Sequence, residues 1–202
     1  MTTKIKVPII VKGDNNSEHL GLVHIYTGDG KGKTTSSLGL AMRAAGNNLN
    51  VHVVQFLKSG ITGEINSAKK LGFSIEQFGV DAVKTRQKNI QEFMDAKGKF
   101  TFQPDEMERE SAMLGLLHAK DIINSGRCDM VILDEINCVL DKKLIPIGEV
   151  VNLMKNHGKT ELVLTGRDVP KELFEFADYV TVMQKIKHPW DKKIKARLGV
   201  EY

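Results

Sequence analysis

The stretch Ile25-Tyr26-Thr27-Gly28-Asp29-Gly30-Lys31-Gly32-Lys33-Thr34-Thr35 decides how the rest of the chain is read. It follows an apolar run, Leu22–Tyr26, that reads as a strand. It opens a helical pattern over Lys33–Ala45, with Leu38, Met42 and Ala45 on one face and Gly46-Asn47-Asn48 ending it. A glycine-rich turn between a strand and a helix is the setting of a phosphate-binding loop. The glycines let main-chain N–H groups turn toward an anion with no Cβ in the way. The helix behind them presents its positive N-terminus to the same anion. Lys33 adds a cation that can reach phosphates, and the Thr34 hydroxyl can ligate Mg²⁺. The spacing differs from the usual GxxxxGK[ST]: Thr27 holds the first glycine position, and Gly28, one residue on, takes that job.

Outward from the loop, short apolar runs alternate with helical patterns. Val51–Leu57 reads as a second strand and Phe73–Phe78 as a third. Residues 79–104 carry many charges, contain Gly79 and Gly98, and end in Phe100-Thr101-Phe102-Gln103-Pro104; a long segment of that kind is a functional loop, a mobile segment or a surface helix. Asp105–Asn124 reads as a long helix, Met130–Leu133 as a strand, Ile147–Met154 as a helix and Glu161–Thr165 as a strand. Pro170 suits the first turn of a helix over Lys171–Ala177, and Tyr179–Met183 reads as the last strand. Strands that are apolar throughout, alternating with helices, predict an α/β fold with a mostly parallel sheet covered on both faces, P-loop NTPase-like (RecA-like). The expected organisation is an N-terminal arm over residues 1–20 and a single P-loop α/β domain over 21–202.

Two more strand ends carry chemistry. Met130-Val131-Ile132-Leu133 runs into Asp134-Glu135. In P-loop proteins an acid there sits beside the phosphate loop and binds Mg²⁺ directly or through water, so Thr34, Asp134 and Glu135 are the candidate metal ligands. The pattern leaves open which carboxylate makes the contact. Glu161–Thr165 runs into Gly166-Arg167. Because the carboxyl ends of parallel strands gather on one edge, Arg167 is expected to point toward the phosphates.

Composition narrows the partners. The chain has 202 residues, with 41 % hydrophobic and 27 % charged, as in a soluble globular protein. The net charge is +4, too mild to demand nucleic acid. Much of it lies in the tail, where Lys185, Lys187, Lys192, Lys193, Lys195 and Arg197 face a single acid, Asp191, which suits an anionic small molecule. No apolar run approaches the ~20 residues of a membrane helix, so no membrane partner is expected. Cys128 and Cys138 form no CxxC pair, which argues against a zinc or disulfide framework and for a cytoplasmic setting. The histidines His19, His24, His52, His118 and His157 show no metal-ligand spacing along the chain.

These features together resemble a known family. Thr27–Thr35, Ala41-Met42-Arg43-Ala44-Ala45-Gly46, Val53-Val54-Gln55-Phe56-Leu57-Lys58, Phe100-Thr101-Phe102, Leu133-Asp134-Glu135 and Thr165-Gly166-Arg167 are similar to motifs of the ATP:corrinoid adenosyltransferases. So is the tail, Ile186-Lys187-His188-Pro189-Trp190-Asp191 followed by Lys195-Ala196-Arg197-Leu198-Gly199-Val200-Glu201-Tyr202. This is the cob(I)yrinic acid a,c-diamide (cob(I)alamin) adenosyltransferase family with a P-loop fold, and the likeness covers roughly residues 21–202.

The resemblance implies transfer of the 5′-deoxyadenosyl group of ATP to the Co(I) of a corrinoid, either cobalamin or cobyrinic acid a,c-diamide, with release of triphosphate. It implies ATP as co-substrate, Mg²⁺ (or Mn²⁺), an electron-donating reductase and a homodimer. Thr27, Gly28, Asp29, Gly30, Lys31, Gly32, Lys33, Thr34 and Thr35 would cradle ATP. Lys33 and Arg167 would carry the charge chemistry, with Arg43 and Lys58 further candidates for the same anion. Phe100 and Phe102 match an aromatic pair that lies against the lower face of the corrinoid and favours loss of its lower ligand. Two departures stand out: the Gly79–Gly98 stretch looks longer than the family's version, and the first 20 residues lack the long charged helical arm of many members. The motifs without the resemblance also fit a P-loop ATPase switch, a nucleic-acid motor or a small-molecule kinase.

Overall fold

A computed structural model describes residues 20–58, 60, 62–79 and 106–201. Phe100, Phe102 and nearly all of the 79–104 segment and the 1–20 arm lie outside the described residues. Six strands form one parallel sheet: β1 (Val23–Thr27), β2 (Val51–Phe56), β3 (Ser74–Phe78), β4 (Met130–Asp134), β5 (Glu161–Thr165) and β6 (Tyr179–Val182), in the order β3-β2-β4-β5-β1-β6. The α/β architecture and the P-loop type of sheet are as the sequence predicts, with every pairing parallel. The inner strands β2, β4 and β5 are buried at every position, as continuous apolar runs require when both faces are covered. The edge strands are not: β6 is exposed throughout.

Alternation along the strands sorts the core into two layers. Val54, Phe56, Val131, Leu133, Leu162 and Leu164 face α3 (Glu106–Asn124), α4 (Ile136–Asp141) and α5 (Ile147–Lys155). Val51, Val53, Met130, Ile132 and Val163 face α1 (Lys33–Ala45) and α2 (Gly63–Leu71). The second layer holds the functional edge, because α1 is the helix that follows the phosphate loop.

Most boundaries differ from the sequence reading by one residue. The predicted helix over Lys171–Ala177 is instead a 3₁₀ helix over Lys171–Phe176. Two helices were unexpected. Of α2 only Ala68 is buried, so its sequence shows no apolar stripe. The six residues of α4 follow directly on the strand and are too few to display a period.

Candidate active site

The loop between β1 and α1 is closed by its own lysine and backed by the tail. Lys33 is buried, and its Nζ donates to the carbonyl oxygens of Gly28 (2.7 Å) and Gly30 (2.8 Å), placing the ammonium across the loop. Burial, followed by the Arg167 guanidinium, holds Lys33 below the usual lysine range. Behind the loop runs the chain leaving β6. Gly30 N–H donates to the Met183 carbonyl at 2.7 Å, and Met183 N–H donates to the Thr27 carbonyl at 2.8 Å. A Cβ on Gly28 would stand 2.4 Å from the Met183 oxygen, and one on Gly30 would stand 2.7 Å from it. These two glycines therefore admit the tail as well as leaving room for an anion. Asp29 accepts the Lys185 N–H at 3.0 Å, and that hydrogen bond holds its carboxyl below the usual range.

Asp134 is the centre of the site. It is 1 % exposed and ends β4, with β5 lying between it and the phosphate-loop strand. One carboxylate oxygen, Oδ1, accepts from the hydroxyls of Thr34 (2.8 Å) and Thr165 (2.7 Å). The other, Oδ2, accepts from Gln55 Nε2 (3.0 Å) and Lys58 Nζ (2.7 Å). Four donors from α1, β5, β2 and the loop after β2 thus fix one carboxylate, and such a group is stable in a buried place only when so satisfied. Burial pulls Lys58 down, but the Asp134 charge and hydrogen bond, with Glu64, outweigh it and leave Lys58 raised. Gln55 itself is tied to Glu64 (3.3 Å) and receives a bond from Gln77 (3.0 Å).

Glu135, next in line, has a left-handed backbone (φ 67°) that turns it out of the strand into the cleft, its N–H donating to Thr165 Oγ1 at 3.1 Å. Its Oε2 is 3.0 Å from the Cys138 Sγ. Burial, then the Glu135 charge, pushes that thiol up to about 12, so it is protonated at neutral pH. Cys138 Sγ in turn lies 3.3 Å from the Arg167 N–H, which ties the β5 exit to α4.

These groups line one cleft of about 800 Å³. Of the residues singled out from sequence, Gly30, Lys31, Gly32, Lys33, Thr34, Thr35, Lys58, Glu135 and Arg167 face it. Thr27, Gly28 and Asp29 form the limb of the loop held by the tail. Asp134 sits beneath, reaching the cleft through Thr34 and Lys58. Arg43 is exposed in the last turn of α1, away from the lining, and acts electrostatically on Tyr26. Sequence reasoning missed Gln55, Glu64 and Thr165, whose signal would have been polar residues at strand ends and helix starts. It also left open His188, which lines the cleft, as do Gly199, Val200 and Glu201, which close one side; Lys31 Nζ reaches the Val200 carbonyl at 3.3 Å.

Comparison with known proteins gives the family of the chain. The model of the ATP:corrinoid adenosyltransferase family BtuR/CobO/CobP matches residues 19–202. The chain belongs to that family. A corrinoid adenosyltransferase of Sinorhizobium sp. is 36 % identical over 191 residues, 92 % of this chain and 82 % of that protein. The corrinoid adenosyltransferase CobA of Salmonella typhimurium is 30 % identical over 203 residues, 98 % of this chain and 94 % of that one, and that of Escherichia coli is 30 % identical over 204 residues. Domain III of the Thermotoga maritima replication initiation protein DnaA is a loose structural likeness, with a TM-score of 0.33 and 16 % identity over 83 % of this chain and 57 % of that one. As an ATP:corrinoid adenosyltransferase, the enzyme carries out ATP-dependent adenosyl transfer to a corrinoid.

Proposed function

We propose that ATP lies in this cleft with its triphosphate along residues 28–35, and that Co(I) of cobalamin or cobyrinic acid a,c-diamide attacks C5′. The new bond is Co–C5′. The bond that breaks is C5′–O, and its electron pair leaves with the triphosphate. Cobalt is the nucleophile and belongs to the substrate, so the protein's task is to hold C5′ in line and to stabilise charge gathering on the leaving group. Lys33, the loop N–H groups and Arg167 serve that charge, and Lys31 and Arg43 add long-range attraction. Lys58 does so only through Asp134, to which it is bonded.

The observation that carries this reading is the convergence of Lys33, Thr34 and Arg167 on one cleft above a buried Asp134. The Thr34 hydroxyl at 2.8 Å from Asp134 Oδ1, with Glu135 beside it, is a hard oxygen donor set that fits Mg²⁺ (or Mn²⁺). Bound there, the ion would neutralise charge on the triphosphate. Phe100 and Phe102 are proposed to wall the corrinoid and keep a lower ligand away. Phe102→Ala then slows reaction of Co(II) corrinoid more than that of pre-reduced Co(I) corrinoid, and equal losses on both would remove the role.

The proposed setting is a cytoplasmic homodimer supplied by a reductase, without nucleic-acid or membrane partners, its catalytic unit spanning residues 21–202. Among the described residues no helix is long and apolar enough to cross a membrane. A monomeric mass in light scattering at micromolar concentration would count against the dimer. The deciding experiment incubates the protein with ATP, Mg²⁺ and reduced cobalamin. The spectrum should change to that of adenosylcobalamin with triphosphate as co-product; orthophosphate release without corrinoid would favour an ATPase instead.

A further inference from the structure

Histidines far apart in sequence meet on the face of the sheet opposite the phosphate loop. His52 on β2 belongs, by alternation, to the side of Val54 and Phe56, which is packed by α3; Gln55 and the loop lie on the other side. His118 comes down from α3, and Glu76 comes from β3, two residues beyond Ser74, the partner of His52 in the ladder. His52 Nε2 and His118 Nε2 are 3.0 Å apart, and His118 Nε2 is 3.4 Å from Glu76 Oε2; the three donor atoms all lie within 4.8 Å of one another.

Local packing brings the helix near enough. One turn before His118, Gly115 faces the sheet, where a Cβ would stand 2.7 Å from the Phe56 ring and 3.0 Å from that of Phe78. Without a side chain there, α3 settles onto β2 and β3, and the His118 imidazole lands beside His52 and 5.4 Å from the Phe78 ring.

We propose that His52, His118 and Glu76 form a site for a divalent transition metal, with Zn²⁺ the fitting ion. Zinc bonds of ~2.0–2.1 Å in a tetrahedron put neighbouring donor atoms about 3.3 Å apart, close to the 3.0 and 3.4 Å that separate His118 Nε2 from His52 and from Glu76. Two imidazoles and a carboxylate are a zinc donor set that leaves the fourth position for water, and the half-exposed Glu76 opens that position to solvent. The oxygen-rich pocket at Thr34 and Asp134 suits Mg²⁺ instead, so the two sites sort ions by donor type.

The second contact of His52 supports this. Its Nδ1 is 2.6 Å from the Ser74 hydroxyl. With Nδ1–H donated there, the Nε2 lone pair faces His118 and Glu76, as a ligand must. Two facing imidazole nitrogens at this distance need either a shared proton or a cation between them. Bound metal would pin edge strand β3 to α3, the two elements that flank residues 80–105.

The test is calorimetric titration of chelator-stripped full-length protein with Zn²⁺ in excess Mg²⁺, which occupies the phosphate-loop carboxylates. The expected result is one Zn²⁺ per chain, lost in His118→Ala and in Glu76→Gln and weakened about 10–100-fold in Ser74→Ala. Glu76 is half-exposed, so Glu76→Gln tests the site in a folded protein. Absence of Zn²⁺ binding by the unmodified chain, or binding unchanged in both His118→Ala and Glu76→Gln, would overturn the proposal. The readout does not depend on adenosyl transfer.

Discussion

The cleft has two walls of opposite construction. One is made of strand ends: Asp134 and Thr165 are buried, and the bonds that place them run among the sheet, its strand exits and α1. The other is the tail after β6. There Ile186, Trp190 and Leu198 are 82 %, 73 % and 79 % exposed, and the chain is held by a few contacts from Met183, Lys185 and Val200 to the loop and by its own Arg197–Glu201 pair at 2.9 Å. The first wall is costly to deform, because moving it leaves buried charge unpaired. The second can move at little cost, since it gives up mostly solvated contacts. The difference fits the proposed reaction: charge stabilisation needs groups fixed before the reaction begins, whereas admitting a large substrate needs a wall that yields.

Four experiments break or sharpen that division. Lys33→Ala should cut the rate of adenosylcobalamin formation about 10²–10³-fold with the melting temperature nearly unchanged, as for loss of one preorganised charge donor; near-normal activity would remove the fixed wall's central claim. Asp134→Asn should destabilise the protein by about 2–3 kcal/mol in urea unfolding, less than the ~3–5 kcal/mol of a fully buried pair because Lys58 keeps some solvent contact. A loss below about 0.5 kcal/mol would mean the strand ends are not preorganised through this carboxylate.

The third test is at the other end of β5. Glu161 is buried against the usual preference of a carboxylate, but the His24 ring and the N–H groups of Leu22 and Gly21 hold its pKa below the ordinary glutamate value. A lowered native pKa means stability that is present above pH ~4.3 and lost as pH falls from there through the native value. Glu161→Gln should lower stability at pH 7 by about 1–2 kcal/mol and flatten the acid limb; an unchanged acid limb would reject the assignment. The smallest effect belongs to the yielding wall. Arg197→Ala frees Glu201, whose carboxyl the arginine holds down to about 2, on the cleft where the triphosphate is proposed to bind. The KM for ATP should rise a few-fold with kcat and melting temperature unchanged, whereas a large fall in kcat would make the tail part of the rigid machinery.

What could be read in the sequence follows the same split. Asp134 closes β4, Arg167 follows β5, and Lys33 and Thr34 open the helix after β1; the apolar runs of those strands are plain, so the convergence follows from parallel pairing. Gln55 and Thr165 were missed because a polar residue closing an apolar run looks like any strand end until its neighbour's carboxylate is known. His52 and His118 showed no ligand spacing because a strand and a helix from separate crossovers bring them together. The backing of Gly28 and Gly30 by Met183 was hidden for a similar reason: the motif explains those glycines fully by phosphate, and only the fold reveals the second demand.

The position of β1 in the sheet has a consequence for how the protein is made. His24 lies between Val163 of β5 and Tyr179 of β6, so the strand that launches the loop gains both neighbours only from segments far downstream of it in the chain. Contacts so distant along the chain are slow to form, because loop closure must precede them. On an emerging chain, β2 and β3 can pair while β1 waits, and the loop after β1 gains its backing only when β6 has docked beside it.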